Sequence, residues 1–157
     1  MFTLIRRNRK LLFVLLFLFT VLLCYYSYFS RYQIVFITGP SMEPYLMGGD
    51  KCLVDRSLSP SRGDVVLLRF PGENIDSVKR LSYVPGDKVI INTWISEGKL
   101  MFNFFENNAT YERYGFHYTL YPDEYIILGD NQSNSFDSRF CGFVSRTDIK
   151  GVVVNKL

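Results

Sequence analysis

The chain has a single histidine, His117, and three cysteines, and both scarcities narrow its chemistry. Metal centres built on Cys and His need several ligands at short spacing; Cys24, Cys52 and Cys141 form no C-x-x-C pair, so no metal and no cofactor is expected. Cys52 and Cys141 could pair in an oxidising compartment, but two isolated cysteines are read first as small buried hydrophobes. A Ser-His-Asp triad would have to use His117, which sits among Tyr111, Tyr114, Phe116 and Tyr118 in the least regular stretch. It is read as a partly exposed histidine and not as a base.

Charge of one sign is also scarce. The formal net charge is +3, but Arg6, Arg7, Arg9 and Lys10 cluster at the start, and setting them aside leaves 14 basic against 15 acidic residues. Without a Lys/Arg stripe there is no footprint for phosphates, and nucleic acid is not an expected partner. No internal repeat or low-complexity linker is present. The 157 residues, 48% of them apolar, allow one compact domain with a short appendage. Asn108-Ala109-Thr110 and Asn131-Gln132-Ser133 match the glycosylation sequon, which is taken as coincidence.

One long apolar run is present. Residues 11–29 carry no charge, and roughly nineteen residues at ~1.5 Å each nearly span a ~30 Å hydrocarbon layer. The basic cluster in 1–10 should remain cytoplasmic, and Tyr25, Tyr26, Tyr28 and Tyr32 crowd the far end as an interfacial belt would. Cleavage after this run would need small residues where Tyr25 to Phe29 offer bulk. Leu23 is too large for a lipidation signal before Cys24, and apolar residues all round argue against a core helix. The expected organisation is a cytoplasmic basic segment (1–10), a transmembrane helix (11–29) and an extracytoplasmic β domain (31–157) at the cell membrane.

Beyond it, short β-branched and aromatic runs alternate with Gly, Pro, Asp and Asn. The spacing predicts strands at 32–36, 51–54, 64–70, 76–83, 88–92, 94–96, 100–103, 124–128 and 149–155. No useful helical period appears after residue 30, so the fold class is mainly β. Residues 103–117 lack alternation and are read as a loop or excursion.

A serine protease can dispense with histidine if a lysine amine takes the proton. Lysine titrates near ~10.4, so bringing it to about 7–8 requires roughly 4 kcal/mol against the charged form, which burial supplies. Lys79 lies in Ser77-Val78-Lys79-Arg80-Leu81, where alternation puts Ser77, Lys79 and Leu81 on one face. Ser41 lies in Thr38-Gly39-Pro40-Ser41-Met42-Glu43-Pro44, where Gly39 and two prolines favour a rigid turn with the Ser41 N–H turned to an oxyanion. Either segment alone would be an ordinary strand or loop.

Together these segments resemble the type I signal peptidase family, in its smaller Gram-positive-like type. Ser41-Met42-Glu43-Pro44 is similar to the family's serine motif, Gly63-Asp64-Val65-Val66 to its Gly-Asp-x-Val strand start, and Lys79-Arg80 with Pro85-Gly86-Asp87 to its lysine motif. Gly129-Asp130-Asn131, Ser135, Asp137-Ser138-Arg139 and Gly142 resemble its last motif. The resemblance implies Ser41 as nucleophile, Lys79 as general base and then acid, and Ser135 as the hydroxyl that orients the lysine amine. Asp137 and Arg139 correspond to a structural ion pair, and Asp130 and Asn131 to residues fixing a turn by side-chain to backbone bonds. Tyr45, Tyr83 and Gln132 depart from the threonine, glycine and arginine usual at those places, and Gly39 offers no side-chain oxyanion donor.

The implied substrates are exported preproteins with small residues at the first and third positions before the cut, bound along an open sheet edge. The bilayer is the second partner. Phe70, Trp94, Phe102, Phe104 and Phe105 are candidates either for the outer leaflet or for the core. A repressor-type self-cleaving protease fits less well, since that group has no membrane span. A non-enzymatic assembly or chaperone-like module on the same scaffold is the second alternative.

Overall fold

In a computed structural model the chain is described over residues 2–106 and 115–157, with side chains from residue 9 onward. It opens on a helix, α1 (Phe2–Arg31), whose stretch Arg9–Arg31 is long and apolar enough to cross a membrane. A helix on a protein core buries one stripe. Here Leu11, Phe13, Leu16, Phe19, Leu22 and Phe29 are all exposed, on every side of the helix. Among the described residues nothing covers them, which fits a membrane anchor.

The rest is β structure in two antiparallel sheets. Six strands, β1 (Tyr32–Phe36), β2 (Lys51–Asp55), β3 (Val65–Leu68), β4 (Ser77–Tyr83), β8 (Ile126–Leu128) and β9 (Ile149–Lys156), form a sheet in the order β1-β2-β9-β3-β4-β8. β5 (Lys88–Ser96), β6 (Lys99–Glu106) and β7 (Phe116–Thr119) form a smaller one in the order β6-β5-β7. After residue 31 the only helical pieces among the described residues are single turns: α2 (Ser138–Cys141) and 3-10 turns at Gln132–Asn134 and Arg146–Asp148.

Two expectations from the sequence are corrected. The strands expected at 88–92 and 94–96 are one continuous β5, because Thr93 pairs with Phe102 and leaves no break in the ladder. Part of the stretch read as an excursion is sheet: β6 runs to Glu106, and Phe116–Thr119 pairs with Ile91 through Lys88. The sequon at Asn108 falls outside the described residues.

Three apolar clusters carry the domain. Ile37, Met42, Leu46, Cys52, Val54, Val65, Leu67 and Val78 form the first, on one face of β2, β3 and β4. Val66, Leu68, Phe70, Leu81, Ile127, Val144, Ile149 and Val152 form the second on the opposite face. Tyr83, Val89, Ile91, Phe104, Leu120 and Ile126 join the two sheets in the third. Phe70 and Phe104 are therefore core residues and not leaflet contacts, and Phe102 packs against the third cluster. β4 is buried on both faces, Val78 in the first cluster and Leu81 in the second, so a side chain at position 79 is withdrawn from water by its strand alone.

Candidate active site

The turn after β1 is held by its apolar residues. Met42 and Leu46 are fully buried in the first cluster, each contributing roughly 1.5–3 kcal/mol by leaving water. Glu43 N–H donates to the Pro40 carbonyl at 3.1 Å and Leu46 N–H to that of Met42 at 2.9 Å. With both neighbours anchored, Ser41 is carried partly exposed at the surface of the turn. Gly39 is not demanded by strain or by space: a Cβ there would meet nothing within 4 Å. Its missing side chain leaves the groove beside Ser41 open. Among the described residues the Ser41 N–H has no hydrogen-bond acceptor.

Lys79 reaches this turn from β4. It pairs with Val66 across the ladder, on the face of Leu81, as the alternation predicts. Its Nζ lies 2.6 Å from Ser41 Oγ and donates to the Val78 carbonyl at 3.2 Å. The residue is 5% exposed, and burial pushes its pKa below the usual lysine range, while the negative charge of Asp137 works the other way. Among the described residues no carboxylate forms an ion pair with it. The amine is thus kept in hydrogen-bond contact with a hydroxyl and without an ion-pair partner among the described residues, a setting that favours its uncharged form.

The segment 129–139 closes over the pair. Asn131 N–H donates to the Ser41 carbonyl at 3.1 Å, and Gly129 is packed so tightly that a Cβ would come within 2.2 Å of Ser135 Oγ and 2.6 Å of the Ser41 carbonyl oxygen. Only glycine fits. Asp137 is fully buried; its carboxylate accepts from Arg139 Nε and Nη2 and from Gly129 N–H, each at 2.9 Å. Burial alone would raise its pKa, but these bonds hold it below the usual carboxylate range. Arg139 thereby offsets part of the charge that Asp137 would otherwise impose on Lys79.

Three placements differ from the expectations. Ser135 Oγ is buried and turned to the Asp137 carboxylate, which it helps hold ionised, and among the described residues it is not hydrogen-bonded to the lysine amine. Asp130 does not bond the turn backbone but accepts from Arg80 Nε and Nη2 at 2.7 and 2.6 Å. Asn131 acts through its main chain, its side chain accepting only from Ser133 Oγ at 3.0 Å. His117 lies on β7 of the smaller sheet, exposed. Cys52 is buried in the first cluster and Cys141 lies against the second, its thiol pushed up to about 12 by burial; neither forms a disulfide.

Sequence reasoning missed the support around Arg80. Its guanidinium also donates to the Gly63 carbonyl at 2.8 Å and lies 5.0 Å from the Tyr45 ring centroid. Tyr45, four residues after Ser41, is thus tied through Arg80 and Asp130 to the turn that holds the Ser41 carbonyl. The one available signal was the alternation of β4, which turns Arg80 to the face opposite Lys79.

A groove beside the pair is lined on one side by Val35 to Gly39 and on the other by Ile75 to Val78. Among the described residues β1 is hydrogen-bonded on one side only, by β2, and so presents an open strand edge.

A hydroxyl against a buried amine, beside a groove at a strand edge, has the composition of a serine–lysine hydrolase site. Comparison with known proteins gives the family. The family described as "Signal peptidase, peptidase S26" matches residues 9–157, and the chain belongs to it. It is 32% identical to a probable signal peptidase I-2 of Synechocystis, over 74% of this chain and 58% of that protein. It is 28% identical to signal peptidase I of Aquifex aeolicus, over 73% and 71%, and 31% identical to signal peptidase IB of Staphylococcus aureus, over 74% and 73%. A solved signal peptidase I from Enterococcus faecalis aligns over 62% of this chain and 98% of its own at 24% identity, with a TM-score of 0.42. The chain thus spans little more than half the length of the Synechocystis relative.

Proposed function

We propose that the protein is a membrane-anchored serine endopeptidase that removes signal peptides from exported preproteins, with Ser41 as nucleophile and Lys79 as general base. The observation that carries this is the 2.6 Å contact between Ser41 Oγ and a buried Lys79 amine without a counter-ion. With the amine neutral, the contact runs from O–H to nitrogen. Ser41 Oγ attacks the scissile carbonyl carbon while its proton passes to Lys79 Nζ. The Ser41 N–H, without an acceptor among the described residues, is the donor offered to the developing oxyanion. Collapse breaks the C–N bond, and the lysine ammonium returns its proton to the leaving amine. Water then attacks the Ser41 ester, losing a proton to the same amine, and the serine leaves as the hydroxyl.

The substrate reads as an extended peptide added to the free edge of β1, between that strand and residues 75–79, with shallow pockets suited to small side chains. Residues 1–10 remain cytoplasmic, the helix spans the bilayer, and the β domain faces outward, an orientation supported by Arg9 and Lys10 before the apolar run. Asp137 and Arg139 act as support, and so does the 129–131 turn. Ser41→Ala should abolish release of the mature N-terminus from a preprotein in vesicles, read by sequencing the products, while the protein stays folded and membrane-bound. Processing at near the unmodified rate would refute the assignment.

A further inference from the structure

The two faces of β1 differ in what they touch. Val35 and Ile37 turn inward: Ile37 belongs to the first apolar cluster, Val35 packs against it, and both line the groove beside Ser41. Ile34 and Phe36 alternate with them, point the other way, and are 54% and 62% exposed. The water side of an antiparallel sheet is ordinarily polar, and an edge strand more so, since an apolar edge invites pairing with other chains. Here the open edge carries an isoleucine and a phenylalanine on that side. Lys51, the direct partner of Phe36 in the β1–β2 ladder, holds its amine 5.5 Å from the ring centroid. The ring is thus met by a cation from the β2 side and left to whatever is added at the edge on the other. A bilayer is a poor occupant, because burying the ring in acyl chains would carry the ammonium out of water with it.

A peptide added to the edge of β1 fits by parity. Its side chains alternate between the same two faces, so with the first and third positions before the cut in the groove, the second emerges on the outer face. Phe36 is the outward-facing residue of β1 nearest Ser41 in sequence, and the second position is the outward-facing substrate residue nearest the cut. Side chains on one face of neighbouring strands stand roughly 5 Å apart, close enough to pack. Lys51 already occupies the attraction of the ring for a cation and repels a second one.

We propose that Phe36, with Lys51 over its ring, selects the residue at the second position before the cut, favouring apolar and aromatic side chains and rejecting cationic ones; this deepens the signal-peptidase reading above and rests on it. The test uses the full chain in detergent micelles and soluble peptides with alanine at the first and third positions and Phe, Ser, Glu or Lys at the second. In the intact protein kcat/KM should be about 2- to 5-fold higher for the Phe peptide than for the Ser peptide, the size of a cross-strand pair. It should also be higher for Glu than for Lys, by a ratio that shrinks toward one as salt is raised. The contact is made in the bound substrate and in the transition state alike, so the preference should lie in KM. Phe36→Ser should bring the Phe-to-Ser ratio to about one, and Lys51→Glu should reverse the order of the Glu and Lys peptides. A merely structural role would shift all four peptides together. Both side chains are exposed, so the fold tolerates either change. Equal rates for all four peptides in the intact protein, or ratios that survive these substitutions, overturn the proposal. A loss in Phe36→Ser confined to preproteins in vesicles, and equal for every second residue, assigns the ring to the bilayer and overturns it too. If the intact protein cuts none of the peptides, the Ser41–Lys79 reading fails, and this selection with it.

Discussion

Two charged side chains are buried in the same six-stranded sheet and receive opposite treatment. Asp55 on β2 is met by an arginine and a serine, and Arg31 foremost holds its carboxyl down at about 2, so it stays ionised. Lys79 on β4 is met by a hydroxyl and a carbonyl, and its pKa is driven down by burial, toward the neutral form. Desolvation penalises both charges. The difference is the partner, and it separates a group kept charged from one pushed toward its uncharged form, as the proposed general base would need to be.

The largest effect that sharpens this contrast is expected from Lys79→Met. Peptide-bond hydrolysis should fall by 10⁴-fold or more, since a nucleophile and its base act as one unit. Stability should move the other way. The folded pKa of Lys79 lies below its unfolded value, so the unfolded chain holds the proton more firmly; stability is lowest below the folded pKa and rises as pH climbs toward the unfolded value near 10.5. Removing that group should raise stability at neutral pH by on the order of 1 kcal/mol, seen as a higher Tm. A lower Tm would mean that the amine is not desolvated at a cost. In the unmodified protein, activity should decline as pH falls through the lowered lysine pKa, and a profile flat from acid to alkaline pH would contradict the neutral-amine mechanism.

A second variant breaks the contrast by exposing Lys79 to an uncompensated charge. Arg139→Gln removes both side-chain donors from the buried Asp137 carboxylate. Stability should fall by about 3–5 kcal/mol, the range for a buried ion left alone, measured by denaturant unfolding. Asp137 then raises the Lys79 pKa more strongly, so the acid limb of the pH–rate profile should shift to higher pH. Loss of stability without that shift would make Arg139 architectural alone.

The same physics explains what could be read in advance. The apolar helix was legible because an uninterrupted apolar run has few interpretations, and the meeting of Lys79 with Ser41 because several motifs stand in the order of one family. β7 was not legible: Phe116–Thr119 becomes a strand by pairing with β5, a contact between distant residues that no local alternation announces. The role of Asp130 was misread for a related reason, since an Asp in a Gly-Asp-Asn turn suits a local backbone bond as well as it suits an arginine fifty residues away. Asp55 fell one residue beyond the strand expected at 51–54, and its burial was not legible because it depends on Arg31 at the helix end and not on its neighbours in sequence.

The smallest expected effect concerns the outer shell of the site. Tyr45 is 55% exposed, yet its ring covers Arg80, which grips Asp130, whose neighbour Asn131 holds the Ser41 carbonyl. The circuit returns to the turn on which Tyr45 itself stands, so loosening it lets Ser41 drift from Lys79 without unfolding anything. A partly exposed cation–π contact contributes about 0.5–1 kcal/mol, which caps the stability lost in Tyr45→Ala at that size. Placement is less forgiving than stability, and kcat should drop several-fold while KM for a soluble peptide stays unchanged. Tyr45→Phe keeps the ring and should restore kcat, because the hydroxyl has no part in the stack. If Phe fails where Tyr succeeds, the hydroxyl is what matters and the circuit through Arg80 is wrong.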